Sequence, residues 1–321
     1  MSFSLNEKQL ASTFDKLVEA GDLLYGPSTV VHLEDKHFPV CNTLFCLSAT
    51  SPYSQPTKFE FRICPALQSK PLKPTDDTPN DTPSASDDEL SYDPEATFGP
   101  GSDIKRGPAA FLIETLSSTH HLIFNKFCVF RPQYMLITAD SYRRQDEALD
   151  LEDLTASWKA LHALPSPHFL FYNCTPQAGN SREHKHMQLA PFTLPDSGAF
   201  ELFPDMAEQP EVPFVFFLQR FQGLFEFVSG KKLLNVYRTM LYKAREALEM
   251  SADAETVPHN VILTKQWFMV IPRRKADVGV KPAVNAAGML GMVWCEEDEQ
   301  LEEWKTHGPA KVLMEAGVPA S

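Results

Sequence analysis

The spacing of apolar residues predicts short strands mixed with a few amphipathic helices. In residues 5–20, 150–164 and 221–252 the apolar side chains recur every three or four positions, which is the spacing of one helix face. A similar pattern predicts a terminal helix over residues 301–317. In residues 59–63 apolar and polar side chains alternate strictly, which is typical of a half-buried strand.

The middle of the chain predicts strands in antiparallel pairs. Apolar runs at 121–127 and 134–138 flank a turn that contains Pro132, so we expect a hairpin there. After the 150–164 helix, residues 168–173 predict a strand that leads through a turn into a second strand at 184–189. The chain thus has a hairpin, a helix and another antiparallel pair in succession.

The later part of the chain continues this alternation. Residues 212–217 predict an apolar strand, and residues 260–274 predict a second hairpin. We therefore expect an α+β fold, with an antiparallel sheet, helices packed on it, and two interlocked halves. Residues 1–209 would form the catalytic half, and residues 210–321 would supply the second hairpin.

A polar segment interrupts the N-terminal half at about residues 75–100. Pro, Asp, Ser and Thr dominate from residue 71 to residue 100, and aromatic residues are rare. Such a composition cannot bury enough apolar surface to offset the entropy lost on ordering. We expect residues 76–99 to be a mobile acidic surface loop, with ordered structure resuming at Ser118.

The overall charge excludes some classes of partner. The 321 residues carry a formal net charge of −13, which argues against a general binder of nucleic acids or anionic membranes. A nucleotide is not excluded, because it needs only a local cluster of donors. The six cysteines are scattered among apolar residues and predict reduced thiols. We expect a cytoplasmic protein, with the nucleus as an alternative, because no signal peptide or membrane-spanning run is evident.

The most informative stretch runs from Asn173 to Leu189. If its last six residues form a strand, His184, His186 and Gln188 share one face. Two imidazoles and an amide are poorly suited to a hydrophobic core and well suited to a catalytic or binding site. The preceding turn, Gly179-Asn180-Ser181, is of a kind that can hold an anion. The combination predicts a phosphate held beside a nucleophilic imidazole.

Two other interpretations of the histidines stay open at this point. Two histidines at strand spacing can bind a metal, and a histidine can be purely structural. The metal interpretation lacks further ligands, since no Cys-x-x-Cys motif lies nearby and the amide of Gln188 is a weak ligand. We therefore predict no protein-bound metal and no required cofactor.

Several segments together resemble the fungal ATP adenylyltransferases, also called diadenosine tetraphosphate phosphorylases. This family belongs to the histidine-triad superfamily, in the branch where the third His is Gln. The resemblance is carried by Asn173, Gly179-x-Ser181, His184-Lys185-His186-x-Gln188, Asn125-Lys126-Phe127, the 260–274 hairpin and the segment from Asn285 to Gly291.

The resemblance implies that His186 is the nucleophile. It would attack the α-phosphorus of a dinucleotide and carry AMP as a phosphoramidate, while Gln188 hydrogen-bonds the transferred phosphate. Further substrate contacts are implied for Lys70, Asn125, Lys126, Asn173, Gly179, Asn180, Ser181, Arg182, His184, Thr264, Met269 and Arg273.

The chain also departs from the family pattern. The family turn usually reads Gly-Ala-Ser-Gln-Pro-His, whereas this chain has Arg182 and Glu183 before His184. Gln133 stands where many members of the wider superfamily have His, and Arg273 stands where the family has Lys. The acidic segment is an addition. The altered turn leaves the preferred polyphosphate length open.

The function implied by the resemblance is reversible phosphorolysis of diadenosine tetraphosphate to ATP and ADP. Partners would be diadenosine polyphosphates, ATP, ADP and phosphate, with Mg²⁺ accompanying the nucleotide and the protein acting as a monomer. One alternative is a dinucleotide-binding sensor without turnover. Another is a uridylyltransferase acting on sugar phosphates, although the zinc-ligand cysteines of that relative have no clear counterpart here.

Overall fold

A computed structural model describes residues 4–35, 57–69, 96–192, 200–206, 211–221, 228–251 and 253–320. Its helices are α1 Glu7–Glu19, α2 Leu151–Ala163, α3 Gly230–Ala247, α4 Ala286–Met289, α5 Asp298–His307 and α6 Pro309–Ala316. Its strands are β1 Thr29–Asp35, β2 Thr57–Ile63, β3 Leu112–Leu116, β4 His120–Phe124, β5 Tyr134–Thr138, β6 His168–Cys174, β7 His186–Pro191, β8 Phe217–Arg220, β9 His259–Leu263, β10 Trp267–Pro272 and β11 Met292–Cys295.

One sheet runs through both halves of the chain. Its eight strands lie in the order β3-β4-β5-β7-β6-β9-β10-β8, and every neighbouring pair is antiparallel. Strands β6 and β9 join the two halves, with Asn173 opposite Asn260. The predicted α+β fold is confirmed, and so are the hairpins β4–β5 and β9–β10.

The central strands are buried because both faces of the sheet are covered. Every residue of β5, β6, β9 and β10 is buried. The apolar side chains of β6, β9 and β10 alternate between two clusters, whereas those of β5 alternate between the first cluster and a third, smaller one. Side chains of α1, α2 and α3 pack in the first cluster, and side chains of α5 and α6 pack in the second. This arrangement explains the nearly continuous apolar runs of these strands.

A second, three-stranded sheet closes the other side of the molecule. Strand β2 lies in its centre, antiparallel to β1 and parallel to β11. The pairing of β2 with β11 brings residues 57–63 of the N-terminal half against residues 292–295. Leu67, which follows β2, and Trp294, in β11, reach the cavity described below.

Helix α2, which packs on the eight-stranded sheet, begins as its sequence predicts. The side chain of Asp150 accepts hydrogen bonds from the backbone N–H groups of Glu152 and Asp153, and the carboxylate of Asp153 accepts one from the backbone N–H of Asp150. This reciprocal capping satisfies donors that a helix start otherwise leaves unpaired. Asp153 points inward and also pairs with Lys185, which directly precedes β7.

Two predicted elements differ in the structure. Residues 212–217 do not form the predicted strand, which starts only at Phe217, because Pro213 cannot donate to a ladder and Val215 bonds to Val318 instead. The predicted terminal helix is divided into α5 and α6 at Gly308, whose φ of 88° no ordinary side chain adopts readily.

The predicted acidic loop is partly ordered. Residues 76–95 lie outside the described ranges, but residues 96–99 form one arm of a short hairpin with residues 104–106. Backbone hydrogen bonds join Phe98 to Ile104 and Arg106 to Ala96. Ordered structure therefore resumes about twenty residues before Ser118, because Phe98 and Ile104 pack on the apolar face of β4 and β5.

Within the described ranges, Cys64, Cys128, Cys174 and Cys295 are buried free thiols. None of the described helices is both long and apolar enough to cross a membrane.

Candidate active site

A large cavity lies at the junction of the two halves. Its volume is about 1090 Å³, which is ample for a dinucleotide-sized ligand. The walls come from the β4–β5 connection, the ends of β6 and β7, the turn at residues 179–182, and the segment from Lys275 to Gly288.

A side chain holds β6 and β7 apart at this cavity. The two strands pair from His168 to Phe171, and the next rung would place Asn173 opposite His186. Instead, the amide of Gln145 bridges the gap. Its Nε2 donates to the carbonyl oxygens of Asn173 at 3.2 Å and His186 at 3.0 Å, and its Oε1 accepts from the N–H of His186 at 2.7 Å.

The ring of His186 is fixed in one orientation. Its Nδ1 lies 2.8 Å from the carbonyl oxygen of His184, which can only accept, so Nδ1 carries the proton. In the neutral ring the lone pair is therefore on Nε2, at the opposite edge. His186 is a buried residue whose remaining surface forms part of the cavity wall. Gln188 lines the same wall, two residues further along β7.

The turn before the catalytic strand needs a glycine. Gly179 has a φ of 86°, and a Cβ there would lie 2.6 Å from the carbonyl oxygen of Val284 and 2.9 Å from Cα of Asn285. The backbone N–H groups of Gly179 and Asn180 bond to carbonyl oxygens inside the turn. Its side chains rather than those two N–H groups are therefore presented to the cavity.

The cavity concentrates positive charge in an acidic protein. Among the described residues that line it, four have cationic side chains: Lys105, Lys126, Arg182 and Lys275. The lining acids are Asp103, Asp277 and Glu296. The carboxylate of Asp103 accepts the backbone N–H groups of Glu183 and His184, so that charge is already engaged. The distribution suits a ligand with several negative charges.

The structure brings most of the predicted site residues together. The cavity is lined by Asn125, Lys126, Asn173, Gly179, Asn180, Ser181, Arg182, His186 and Gln188. Lys70 lies outside the described residues.

His184 does not line the cavity, in contrast to its predicted role in substrate contact. Strand β7 begins only at His186, and the His184 ring is buried between Ser102 and Thr138. Its Nδ1 lies 2.8 Å from Oγ of Ser102, and its Nε2 lies 2.9 Å from Oγ1 of Thr138. Burial lowers the pKa of His184, so a neutral ring joins the 96–106 hairpin to the start of the catalytic strand.

Thr264, Met269 and Arg273 also lie away from the described cavity walls. The hydroxyl of Thr264 accepts N–H groups within the β9–β10 turn, and Met269 is buried in the second apolar cluster. Both side chains are completely buried, which leaves neither residue a surface for a ligand.

Arg273 is completely buried behind the cavity, in contrast to its predicted contact with the substrate. Its guanidinium donates to the carbonyl oxygens of Ala178 and Val284 and to the side-chain oxygen of Asn260. Asn260 in turn donates to Oδ1 of Asn173 at 2.8 Å. Burial lowers the pKa of Arg273 to about 9, which leaves it charged at neutral pH. Arg273 thus reaches the site through two amides.

Three contributors to the site carry no pattern in the sequence. Gln145 lies in a run of charged residues, and Asp103 and Lys105 follow the acidic segment. Their positions depend on contacts between distant parts of the chain. The hydroxyl of Tyr172, for example, donates to the carbonyl oxygen of Gln145 at 2.8 Å.

Among the described residues, no group of three or more His, Cys, Asp or Glu side chains is placed to hold a metal ion.

Family models match two parts of the chain. Residues 108–203 match the Ap4A phosphorylase N-terminal domain, and residues 210–319 match the ATP adenylyltransferase C-terminal domain. The first of these segments contains the nine predicted site residues that line the cavity.

Two proteins of Saccharomyces cerevisiae are similar in sequence. Protein APA1 is 29% identical over 227 residues, which cover 63% of this chain and 70% of the yeast protein. Diadenosine 5',5'''-P1,P4-tetraphosphate phosphorylase 2 is 26% identical over 230 residues, which cover 62% and 70%.

Solved structures share the fold over the whole chain. The crystal structure of yeast Ap4A phosphorylase Apa2 superposes with a TM-score of 0.69 at 21% identity, covering 99% of each chain. The complex of Apa2 with Ap4A gives a TM-score of 0.67 at 21% identity, covering 100% of each chain.

Proposed function

Because the chain belongs to the ATP adenylyltransferase family that includes the Ap4A phosphorylases, we propose that it cleaves diadenosine tetraphosphate with inorganic phosphate to give ATP and ADP. The yeast relative named as a diadenosine tetraphosphate phosphorylase and the Apa2–Ap4A complex support this substrate. The cavity volume and its four cationic side chains suit two nucleosides joined by a polyanionic chain.

The observation that carries the proposal is the fixed tautomer of His186. The hydrogen bond from Nδ1 to the carbonyl oxygen of His184 places the lone pair of the neutral ring on Nε2, where it can attack. A neutral imidazole is an effective nucleophile near pH 7, and a covalent intermediate divides one difficult displacement into two easier ones.

In each of the two steps, one bond to the α-phosphorus forms and another breaks. Nε2 of His186 attacks the α-phosphorus, a P–N bond forms, and the P–O bond to the bridging oxygen breaks to release ATP. An oxygen of inorganic phosphate then attacks the same phosphorus, and the P–N bond breaks. The AMP unit, now joined to this phosphate, leaves as ADP. The electron pair returns to Nε2. The proton stays on Nδ1, where its hydrogen bond to the carbonyl of His184 stabilises the charged ring of the intermediate.

The remaining side chains bind and align the phosphates. Phosphoryl-type transfer needs chiefly positioning and compensation of charge. Lys126 and Arg182 line the cavity from the β4–β5 connection and from the glycine turn. Asn173 has its oxygen bonded by Asn260 and by the N–H of Ala286, so its amide nitrogen is the end that would donate to the substrate.

Intact-protein mass spectrometry tests the proposal directly. After brief mixing with diadenosine tetraphosphate in the absence of phosphate, the protein should gain the mass of one adenylyl group and release ATP. Added phosphate should remove the adduct and yield an equal amount of ADP. His186→Ala should form no adduct, whereas His184→Asn, which alters a buried ring behind the site, should still form one.

Two outcomes would contradict the proposal. Turnover at the same rate with and without phosphate would show that the reaction is not phosphorolysis. An adduct on His186→Ala would refute the assignment of the nucleophile.

A further inference from the structure

Three side-chain amides form a row along the cavity wall. Nδ2 of Asn125 donates to Oε1 of Gln188 at 3.2 Å, and Nε2 of Gln133 donates to the same oxygen at 3.3 Å. Asn125 and Gln133 come from the two ends of the β4–β5 connection, and Gln188 lies on the catalytic strand.

Backbone groups determine which way each outer amide points. The backbone N–H of Phe127 donates to Oδ1 of Asn125 at 3.2 Å, and the backbone N–H of Val129 donates to Oε1 of Gln133 at 2.8 Å. A backbone N–H can only donate, so both oxygens are assigned without ambiguity. The nitrogen of each outer amide must therefore face Gln188.

The same logic fixes the central amide. Both neighbours offer Gln188 an N–H, so Gln188 must turn its oxygen toward them. The NH₂ group of Gln188 is then the end that faces the cavity beside His186. Rotating this amide by half a turn would place nitrogen against two other donors, and would present an oxygen to the phosphate.

We propose that Gln133 and Asn125 are positioning residues that hold the amide of Gln188 with its N–H donors toward the transferred phosphate. This inference rests on the proposed function. Gln133 is only 1% exposed, so water cannot readily replace its contact with Gln188. The amide of Gln188 would thus be oriented before substrate binds, which is the condition under which a hydrogen-bond donor contributes most to catalysis.

Gln133→Glu tests the proposal because it changes only one of the two contacts. The new carboxylate still accepts the N–H of Val129, but it offers no donor to Gln188 and favours the rotated amide. We expect kcat to fall roughly 10- to 100-fold at about pH 8, with a smaller change in KM. Asn125→Asp, which keeps its acceptor for Phe127, should act in the same direction.

The pH profile separates orientation from damage to the fold. When the carboxylate introduced by Gln133→Glu is protonated, its O–H can again donate to Gln188. The ratio of variant to wild-type kcat should therefore rise as the pH is lowered from about 8 to about 5.5. Comparison with wild type at each pH removes the pH effects that are common to both proteins. A ratio that does not change with pH would contradict the proposal.

A double-mutant cycle separates orientation from simple charge repulsion. In the Gln188→Leu background, Gln133→Glu should change kcat by less than about threefold, because its target is gone. Gln177→Glu is the charge control, since it adds a carboxylate to the cavity wall away from the amide row. Its effect should be the same in both backgrounds. Equal effects of Gln133→Glu in both backgrounds would overturn the proposal.

Binding of AMP distinguishes failure of this inference from failure of the proposed function. If the wild-type protein does not turn over diadenosine tetraphosphate, the proposed function fails, and AMP affinity measured by calorimetry decides the inference. Gln133→Glu should then weaken AMP binding at about pH 8, relative to wild type, and regain affinity at about pH 5.5. Unchanged affinity at both values would refute the orientation of Gln188.

Discussion

Lys185 forms a buried ion pair on the back of the catalytic strand, and its removal is a quantitative test of the fold. Its Nζ lies 2.7 Å from Oδ2 of Asp153 and 2.8 Å from the carbonyl oxygen of Ala148, and both charged side chains are completely buried. Burial works to raise the pKa of Asp153, but the hydrogen bond from His120 and the charge of Lys185 outweigh it and hold the pKa well below its usual range.

We expect Lys185→Met to destabilise the protein by about 3 kcal/mol. Removing one partner of a buried pair costs about 3–5 kcal/mol, because the other charge is left uncompensated. The lower end applies here since Asp153 keeps His120 at 3.0 Å and Arg143 at 3.7 Å. The free energy of unfolding is measured by urea denaturation.

A second variant and a control distinguish the contribution of the Lys185–Asp153 ion pair from a general loss of packing. Lys185→Met combined with Asp153→Leu should be less destabilised than the sum of the single changes, by about 2 kcal/mol. Lys305→Met removes an exposed pair with Glu302 and should change stability by less than about 0.5 kcal/mol. Additive effects, or a loss below about 1 kcal/mol for Lys185→Met, would refute the reasoning.

Three further predictions concern other buried groups. Burial lowers the pKa of His259 from 6.5 to about 4, so the stability gained from its neutral form is complete above about pH 6.5 and is lost as the pH falls toward 4. The loss should amount to roughly 3 kcal/mol, and His259→Gln should flatten this part of the stability profile measured by urea titration at each pH. Arg273→Lys should destabilise the protein by about 2–4 kcal/mol and raise KM, because an ammonium group cannot reach all the acceptors of the guanidinium; unchanged KM in steady-state kinetics would contradict the link to Asn173. Gln145→Leu should lower kcat at least about tenfold, because the N–H of His186 loses its partner; wild-type kcat for this variant would show that the bridge does not position the nucleophile.

The sequence was most informative where periodicity and turn chemistry act locally. Helix α2 begins at the predicted position because Asp150 and Asp153 form a capping box. The hairpins were predictable because paired apolar runs lie close together in the sequence, with Pro132 between the first pair. The absence of the predicted strand from residues 212–216 was not predictable, because these residues bond to the C-terminal segment through contacts that no local pattern reveals.

The site could be predicted only where the type of residue indicates its chemical role. His186, Gln188 and the glycine turn are recognisable because an imidazole and an amide at strand spacing follow a turn of small polar residues. The same pattern misplaced His184, whose ring is buried between Ser102 and Thr138. Arg273 could not be placed, since a basic residue at a strand end is exposed in most settings, and its burial here depends on carbonyl oxygens from three separate segments. Gln145 carried no signal because its partners are backbone atoms of strands distant in sequence.

The acidic chain and its cavity, which is lined by four cationic side chains, together favour small anions over large ones. A long polyanion such as nucleic acid must lie against much of the surface, where the net charge of −13 opposes it. A compact polyanion escapes this repulsion once it enters the cavity, where Lys105, Lys126, Arg182 and Lys275 converge. The charge distribution thus favours small phosphorylated metabolites over larger molecules with the same chemical groups.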